Sequence, residues 1–250
     1  MSGVPRLLAF IPHPDDESYS FGGALALAAR AGWECIVQCA SSGEKGKRHD
    51  GGPTGKESVG AAREAELRRS CEVLGVQRPE FWRFPDGGLS GVSERRAPIN
   101  QLLRHLDPDI VLTLGGDGAY GHPDHLALHQ WVVGQWRAFR PDKVPLLFPV
   151  FPRGLFLPQY EKCIGMMGDP PNPPAEAIGS DSWDYAVPIE RVREQKLAAI
   201  ASHRSQLPGG DPEALFPPGI VSSLLDVERF EDARGGAFDD VRELLASFES

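Results

Sequence analysis

Short continuous apolar runs alternate with longer amphipathic stretches through the first 150 residues. Leu7 to Ile11 predicts a buried strand, and Phe21 to Ala31 a helix ended by Gly32. Cys35 to Ala40 reads as a second strand, Ala61 to Leu74 as a helix with Gly75 at its C-cap, and Phe81 to Phe84 as a short strand. Ile99 to Leu106 predicts a helix that stops before Asp107-Pro108. Ile110 to Leu114 is then a strand, His125 to Phe139 a helix, and Leu146 to Phe151 a strand. This alternation predicts an α/β fold, with a Rossmann-like, mostly parallel sheet covered by helices on both faces.

The pattern changes after Pro152. Pro and Gly crowd 165–179, and a second Pro- and Gly-rich stretch covers 208–219. Between them Ile189 to Ser202 predicts a helix, with Val192, Lys196, Ala199 and Ile200 along one side. A short strand near Ile220 to Leu225 and a polar helix from Phe238 to Phe248 close the chain. The expected organisation is one domain over 1–250, a core over 1–152 followed by a C-terminal elaboration over 153–250.

A chain of 250 residues can bury a sizeable core without disulfide staples. Its net charge of -9 argues against nucleic acid as the main partner, because phosphate binding needs a surplus of Lys and Arg. Cys35, Cys39, Cys71 and Cys163 form no C-x-x-C pair and read as buried, reduced thiols. The N-terminus lacks the pattern of a secretory leader, and no apolar run approaches the ~20 residues of a membrane span. The expectation is a cytoplasmic protein without a membrane anchor, acting on a small molecule, as a monomer or a homo-oligomer.

Candidate chemistry lies in a doubled tripeptide. His13-Pro14-Asp15-Asp16 follows the first strand, and His122-Pro123-Asp124-His125 follows the strand at Ile110 to Leu114 by a Gly-rich loop. In an open parallel sheet, ligands bind beyond the carboxyl ends of the strands. A three-residue spacing brings His13 and Asp16, and likewise His122 and His125, onto one side of a turn. Pro14 suits the first turn of the following helix. Two imidazoles and a carboxylate, with open positions, suit catalytic Zn²⁺ and equally Fe²⁺. We assign His13, Asp16 and His125 to that set, which leaves Asp15 and His122 uncoordinated as base and acid for hydrolysis. His49, His105 and His129 lack this context and read as solvated or packing residues. The first turn has Pro and Asp where a dinucleotide loop needs G-x-G-x-x-G, and no G-x-S-x-G elbow offers a serine nucleophile.

Pro12-His13-Pro14-Asp15-Asp16-Glu17 together with Gly121-His122-Pro123-Asp124-His125 resembles the PIG-L/LmbE-like N-deacetylases, which include the mycothiol- and bacillithiol-pathway enzymes. Gly43-Glu44-x-Gly46, Arg63-x-x-Glu66-Leu67, Asp86-Gly87-Gly88 and His203-x-Ser205-Gln206 match in order, so the resemblance covers about residues 5 to 207. It implies a metal-dependent hydrolase, zinc-dependent with Fe²⁺ as an alternative, removing the acetyl group from an N-acetylglucosamine-containing small molecule. It further implies His13, Asp16 and His125 as metal ligands and Asp15 as general base. Protonated His122 would stabilise the tetrahedral intermediate or protonate the leaving amine, with Asp124 orienting it and Tyr120 assisting the oxyanion. Arg63 and Asp86 would grip sugar hydroxyls. His203 is left with packing or a supporting contact. The run Asp169 to Pro174 has no residue-level match, so the aglycone is left open. An amidase acting on a thiol S-conjugate or another N-acyl glycoside, a non-heme iron oxygenase and a sugar-binding module are the competing readings.

Overall fold

The computed structural model describes residues 3–93 and 96–249. Five strands run parallel: β1 (Arg6–Ile11), β2 (Glu34–Ser41), β3 (Glu80–Phe84), β4 (Ile110–Leu112) and β5 (Leu146–Pro149). Two later strands, β6 (Tyr185–Pro188) and β7 (Val227–Asp232), complete one sheet in the order β3-β2-β1-β4-β5-β7-β6. β7 pairs antiparallel with both β5 and β6. The sheet is therefore mixed, and the region beyond residue 152 supplies two of its strands.

The side-chain alternation of β1 divides the core. Leu7, Ala9 and Ile11 join one buried cluster, which includes the apolar faces of α1 (Asp16–Arg30) and α2 (Lys56–Leu74). Leu8 and Phe10 point to the other, built with α3 (Arg96–Leu106) and a later helix over Pro123–Arg137. Both faces of β1 are thus covered, which is why its sequence is continuously apolar rather than alternating. A third cluster, rich in aromatic rings, gathers Tyr19, Tyr120, Phe151, Phe156, Tyr160 and Phe216.

The apolar periodicity places the start of α1 too late. The helix begins at Asp16, and its first turn buries Asp16, Glu17, Ser18 and Ser20, polar residues that break the apolar pattern. Phe21 departs from helical geometry (φ -148°, ψ 23°), and the amides of Gly23 and Ala24 donate instead to the Glu228 carboxylate at 2.7 and 2.8 Å. Lys196 closes this buried group with a 2.7 Å ion pair to Glu228. Gly23 is required there, since a Cβ would overlap the Ile189 side chain.

The C-terminal part differs from the sequence expectation at two places. Ile220 to Leu225 forms no strand; it carries a 3₁₀ turn over Ser222–Leu224, and Ile220, Val221 and Leu224 are buried at helical spacing. The strand lies just beyond, at β7, where the inward positions include Glu228 and Asp232. Charged residues on the buried face hid its alternation. β6 has four residues and ends in Pro188, too little for a periodicity signal. The helix expected over Ile189 to Ser202 appears as a 3₁₀ turn over Glu190–Val192 followed by a helix over Arg193–Ala201, and Lys196 is indeed buried on its inner side. Among the described residues no helix is long and apolar enough to cross a membrane. All four cysteines are buried free thiols.

Candidate metal centre and active site

The strand order reverses between β1 and β4. From β1 the chain builds outward through β2 and β3, then returns to the other side of β1 with β4 and β5. The loops leaving β1 and β4 therefore flank one crevice, and each carries one His-Pro-Asp.

The two copies fold differently. In the second, His122 is the N-cap of α4 (Pro123–Arg137): its Nδ1 accepts the Asp124 amide at 3.2 Å, and Pro123 takes the first helical position. The first copy is a turn that precedes the helix. The Asp16 amide reaches the His13 carbonyl at 3.3 Å, and Asp15 adopts φ 124°, a strained value for a residue with a side chain. Strain of this kind persists only where the surroundings over-determine it.

Metal-competent atoms converge on Asp16. Its Oδ2 lies 3.4 Å from His13 Nδ1 and its Oδ1 3.5 Å from His125 Nε2. Oδ1 also accepts the Tyr19 hydroxyl at 2.7 Å, and Oδ2 the His13 amide at 2.8 Å. One ring nitrogen from each of His13, His122 and His125 lies within 4.8 Å of the others. His125 Nδ1 donates to the Gly118 carbonyl at 3.1 Å, which leaves the Nε2 lone pair facing the cluster. That Nε2 is buried and has no hydrogen-bond partner among the described residues. An orphaned buried acceptor beside a carboxylate and a second imidazole is the donor arrangement a divalent cation satisfies.

The charge balance favours a cation at the same place. Burial depresses His13, yet the carboxylates of Asp124, Asp16 and Asp86 outweigh it and hold the imidazole well above its ordinary value. Burial opposes ionisation of Asp16, but His125, His13 and the Tyr19 hydroxyl hold it well below the usual carboxylate range. Burial lowers His125 to about 4, so it is a neutral donor at pH 7.

Asp15 stands apart from these ionised acids. Burial raises its pKa to about 6, partly opposed by Arg63, whose guanidinium donates to Asp15 Oδ2 at 2.8 Å. Arg63 also reaches the Pro14 carbonyl at 2.6 Å and the Gly43 carbonyl at 2.9 Å. Side chains at Gly43 or Gly46 would overlap that guanidinium or crowd it, a physical reason for the Gly43-Glu44-x-Gly46 spacing.

Every site residue singled out from sequence lies at this crevice, but several face partners other than those expected. The Asp124 carboxylate meets His13 Nε2 at 3.1 Å and the amides of Gly87 and Leu89 at 2.7 and 3.0 Å, so it orients His13 rather than His122. Asp86 also pairs with His13 Nε2, at 3.2 Å, and accepts the Lys45 amide at 2.8 Å. Burial, then His125 and His13, pull His122 down to about 3, so it is neutral rather than an imidazolium. With Nδ1 occupied as an acceptor, His122 carries its hydrogen on Nε2. Tyr120 is buried with its ring edge-on to His125 at 5.0 Å, in a short distorted helical turn over Gly118–Gly121 where Ala119 has φ 63°.

Sequence reasoning missed Tyr19 and gave Glu17 and Ser70 no role. Tyr19 was discoverable, since it stands three residues from Asp16. Among the other histidines, His129 makes a packing contact, with Nδ1 2.8 Å from the Leu114 carbonyl and its ring 4.8 Å from that of Phe148. His203 is fully buried against Glu17.

The chain is similar to known proteins over most of its length. Residues 8–135 match the family described as PIG-L, GlcNAc-PI de-N-acetylase. The 1D-myo-inositol 2-acetamido-2-deoxy-alpha-D-glucopyranoside deacetylase of Nakamurella multipartita is 30% identical, over 84% of this chain and 83% of its own. Among solved structures, the N,N'-diacetylchitobiose deacetylase of Pyrococcus horikoshii superposes with a TM-score of 0.63 at 24% identity, covering 94% of this chain and 88% of that one. The 4-carboxy-2-hydroxymuconate hydratase of Pseudomonas putida superposes with a TM-score of 0.62 at 22% identity, covering 92% and 96%. The last two establish the fold alone, which evidently hosts more than one reaction. On the family match and the Nakamurella relative, this chain belongs to the PIG-L family.

Proposed function

We propose that this protein is a metal-dependent N-deacetylase that hydrolyses the acetamide of an N-acetylglucosamine-containing small molecule. The observation that carries the reading is the orphaned His125 Nε2, buried beside Asp16 and His13. His13, Asp16 and His125 would hold a divalent cation, zinc by donor type, with Fe²⁺ compatible with the same set. Such a cation supplies Lewis acidity that makes water more acidic and polarises the substrate carbonyl.

The chain's own residues divide the remaining work. Asp15, with a pKa of about 6, is ionised at neutral pH and basic enough to take a proton from water as its oxygen attacks the amide carbon. Arg63 fixes the direction of that carboxylate. His122 Nε2–H and the Tyr120 hydroxyl are the donors for the oxygen that gains negative charge. Collapse breaks the C–N bond, and the proton held by Asp15 passes to the leaving nitrogen, giving acetate and a primary amine. Asp124 and Asp86 hold the His13 ring, so Asp86 acts on His13 as well as being available to substrate hydroxyls.

The substrate class comes from the relatives, whose names specify an acetylated glucosamine joined to inositol. The test is a screen of N-acetylated sugars, that inositol glycoside included, for paired release of acetate and primary amine. Loss on chelation and recovery on adding zinc or ferrous ion are expected. Turnover that survives complete metal removal overturns the reading, as does amide cleavage confined to thiol S-conjugates or absent throughout.

A further inference from the structure

We propose that Glu17 is a positioning residue for the general base, and that Ser70 and His203 complete it from two distant parts of the chain. This inference rests on Asp15 acting as base. The Asp15 backbone at φ 124° is held by a specific acceptor: its amide donates to Glu17 Oε2 at 3.1 Å. The other oxygen, Glu17 Oε1, accepts the Ser70 hydroxyl at 2.5 Å and His203 Nε2 at 2.7 Å. Glu17, Ser70 and His203 are all 0% exposed.

A carboxylate removed from water in this way needs every lone pair answered. Here three donors answer it, from Asp15, from α2 and from the segment after the Arg193–Ala201 helix. The His203 ring makes no other hydrogen bond, since its Nδ1 is unpartnered among the described residues. Its single polar contact is therefore with Glu17, 186 positions away.

The same face of α2 carries the rest of the device. Arg63, Glu66 and Ser70 follow at helical spacing and are all buried. Arg63 holds the Asp15 carboxylate, Ser70 holds Glu17, and Glu66 accepts both the amide and the hydroxyl of Ser205, each at 2.7 Å. The paired spacings Arg63-x-x-Glu66 and His203-x-Ser205 thus belong to one assembly. It grips Asp15 by its carboxylate through Arg63 and by its amide through Glu17. With the amide released, the backbone can relax toward negative φ and swing the carboxylate away from the crevice.

The experiment compares Glu17→Gln, Ser70→Ala, His203→Ala and His203→Gln in the full-length metal-loaded protein, with kcat, KM, metal content and thermal midpoint measured for each. Glu17→Gln should lower kcat by about 100-fold, as a misplaced reacting group does, with KM and metal content within about twofold of the parent. His203→Ala should lose kcat, and His203→Gln, which keeps a donor, should recover most of it. The decisive arm places Glu17→Gln on an Asp15→Asn background. A residue that acts only through Asp15 should cost nothing further there. Multiplying losses, an accompanying fall in metal content, or an unchanged kcat in the single variants overturns the assignment. If Glu17→Gln does not fold, the Ser70 and His203 variants on the same background carry the test. Undiminished activity of Asp15→Asn alone would instead remove the base, a separate failure of the reading beneath.

Discussion

His13 Nε2 lies 3.1 Å from Asp124 Oδ2, so the first His-Pro-Asp is oriented by the carboxylate of the second across 111 positions of sequence. The two copies are therefore neither equivalent nor independent. The first presents the His13 imidazole, and the carboxylate of the second aims it. With Nε2 engaged by Asp124 and Asp86, the His13 nitrogen available toward Asp16 is Nδ1. Carboxylate–imidazole–metal triads of this form set the tautomer and raise ligand basicity.

Asp124→Asn should thus weaken metal affinity by roughly 10- to 100-fold, through His13. Competition with a chelator of known affinity measures it. Unaltered affinity with a loss confined to kcat would return Asp124 to a role at His122.

His13→Ala and His125→Ala should each lose the bound metal, while His122→Ala should keep it and lose turnover. Metal analysis after dialysis distinguishes the three. Retention of a full equivalent by His13→Ala or His125→Ala would remove that residue from the ligand set.

Asp15→Asn should retain the metal and lose about a thousandfold in kcat, within the range for a general acid–base group. Because the base works only when ionised, kcat/KM should fall as pH drops through about 6. Arg63 opposes the effect of burial on Asp15, so Arg63→Met should move that acid limb to higher pH. A limb that stays in place or moves down would separate Arg63 from the base.

Lys196 and Glu228 form a buried ion pair that also satisfies the freed amides of α1. Lys196→Met leaves the Glu228 charge without its cation and should destabilise the fold by about 3–5 kcal/mol. Denaturant unfolding reads this directly. Adding Glu228→Gln should recover part of the loss, and a fully additive double variant would show that the two side chains do not interact.

Local features are written in the order of the residues. Apolar runs and helical spacings follow from backbone periods of two and 3.6 residues, so β1 to β5 and most helices were legible, as was the His-x-x-Asp/His spacing of both turns. β6 and β7 were not, because one is short and the other buries Glu228 and Asp232 where an apolar residue is the rule. The roles of the polar residues emerge from the folded chain alone. Whether Asp124 serves His13 or His122, whether His122 is charged, and why Glu17, Ser70 and His203 belong together all depend on contacts between distant segments. A buried polar group takes its role from whichever donors and charges replace its water, and no local period records which those are.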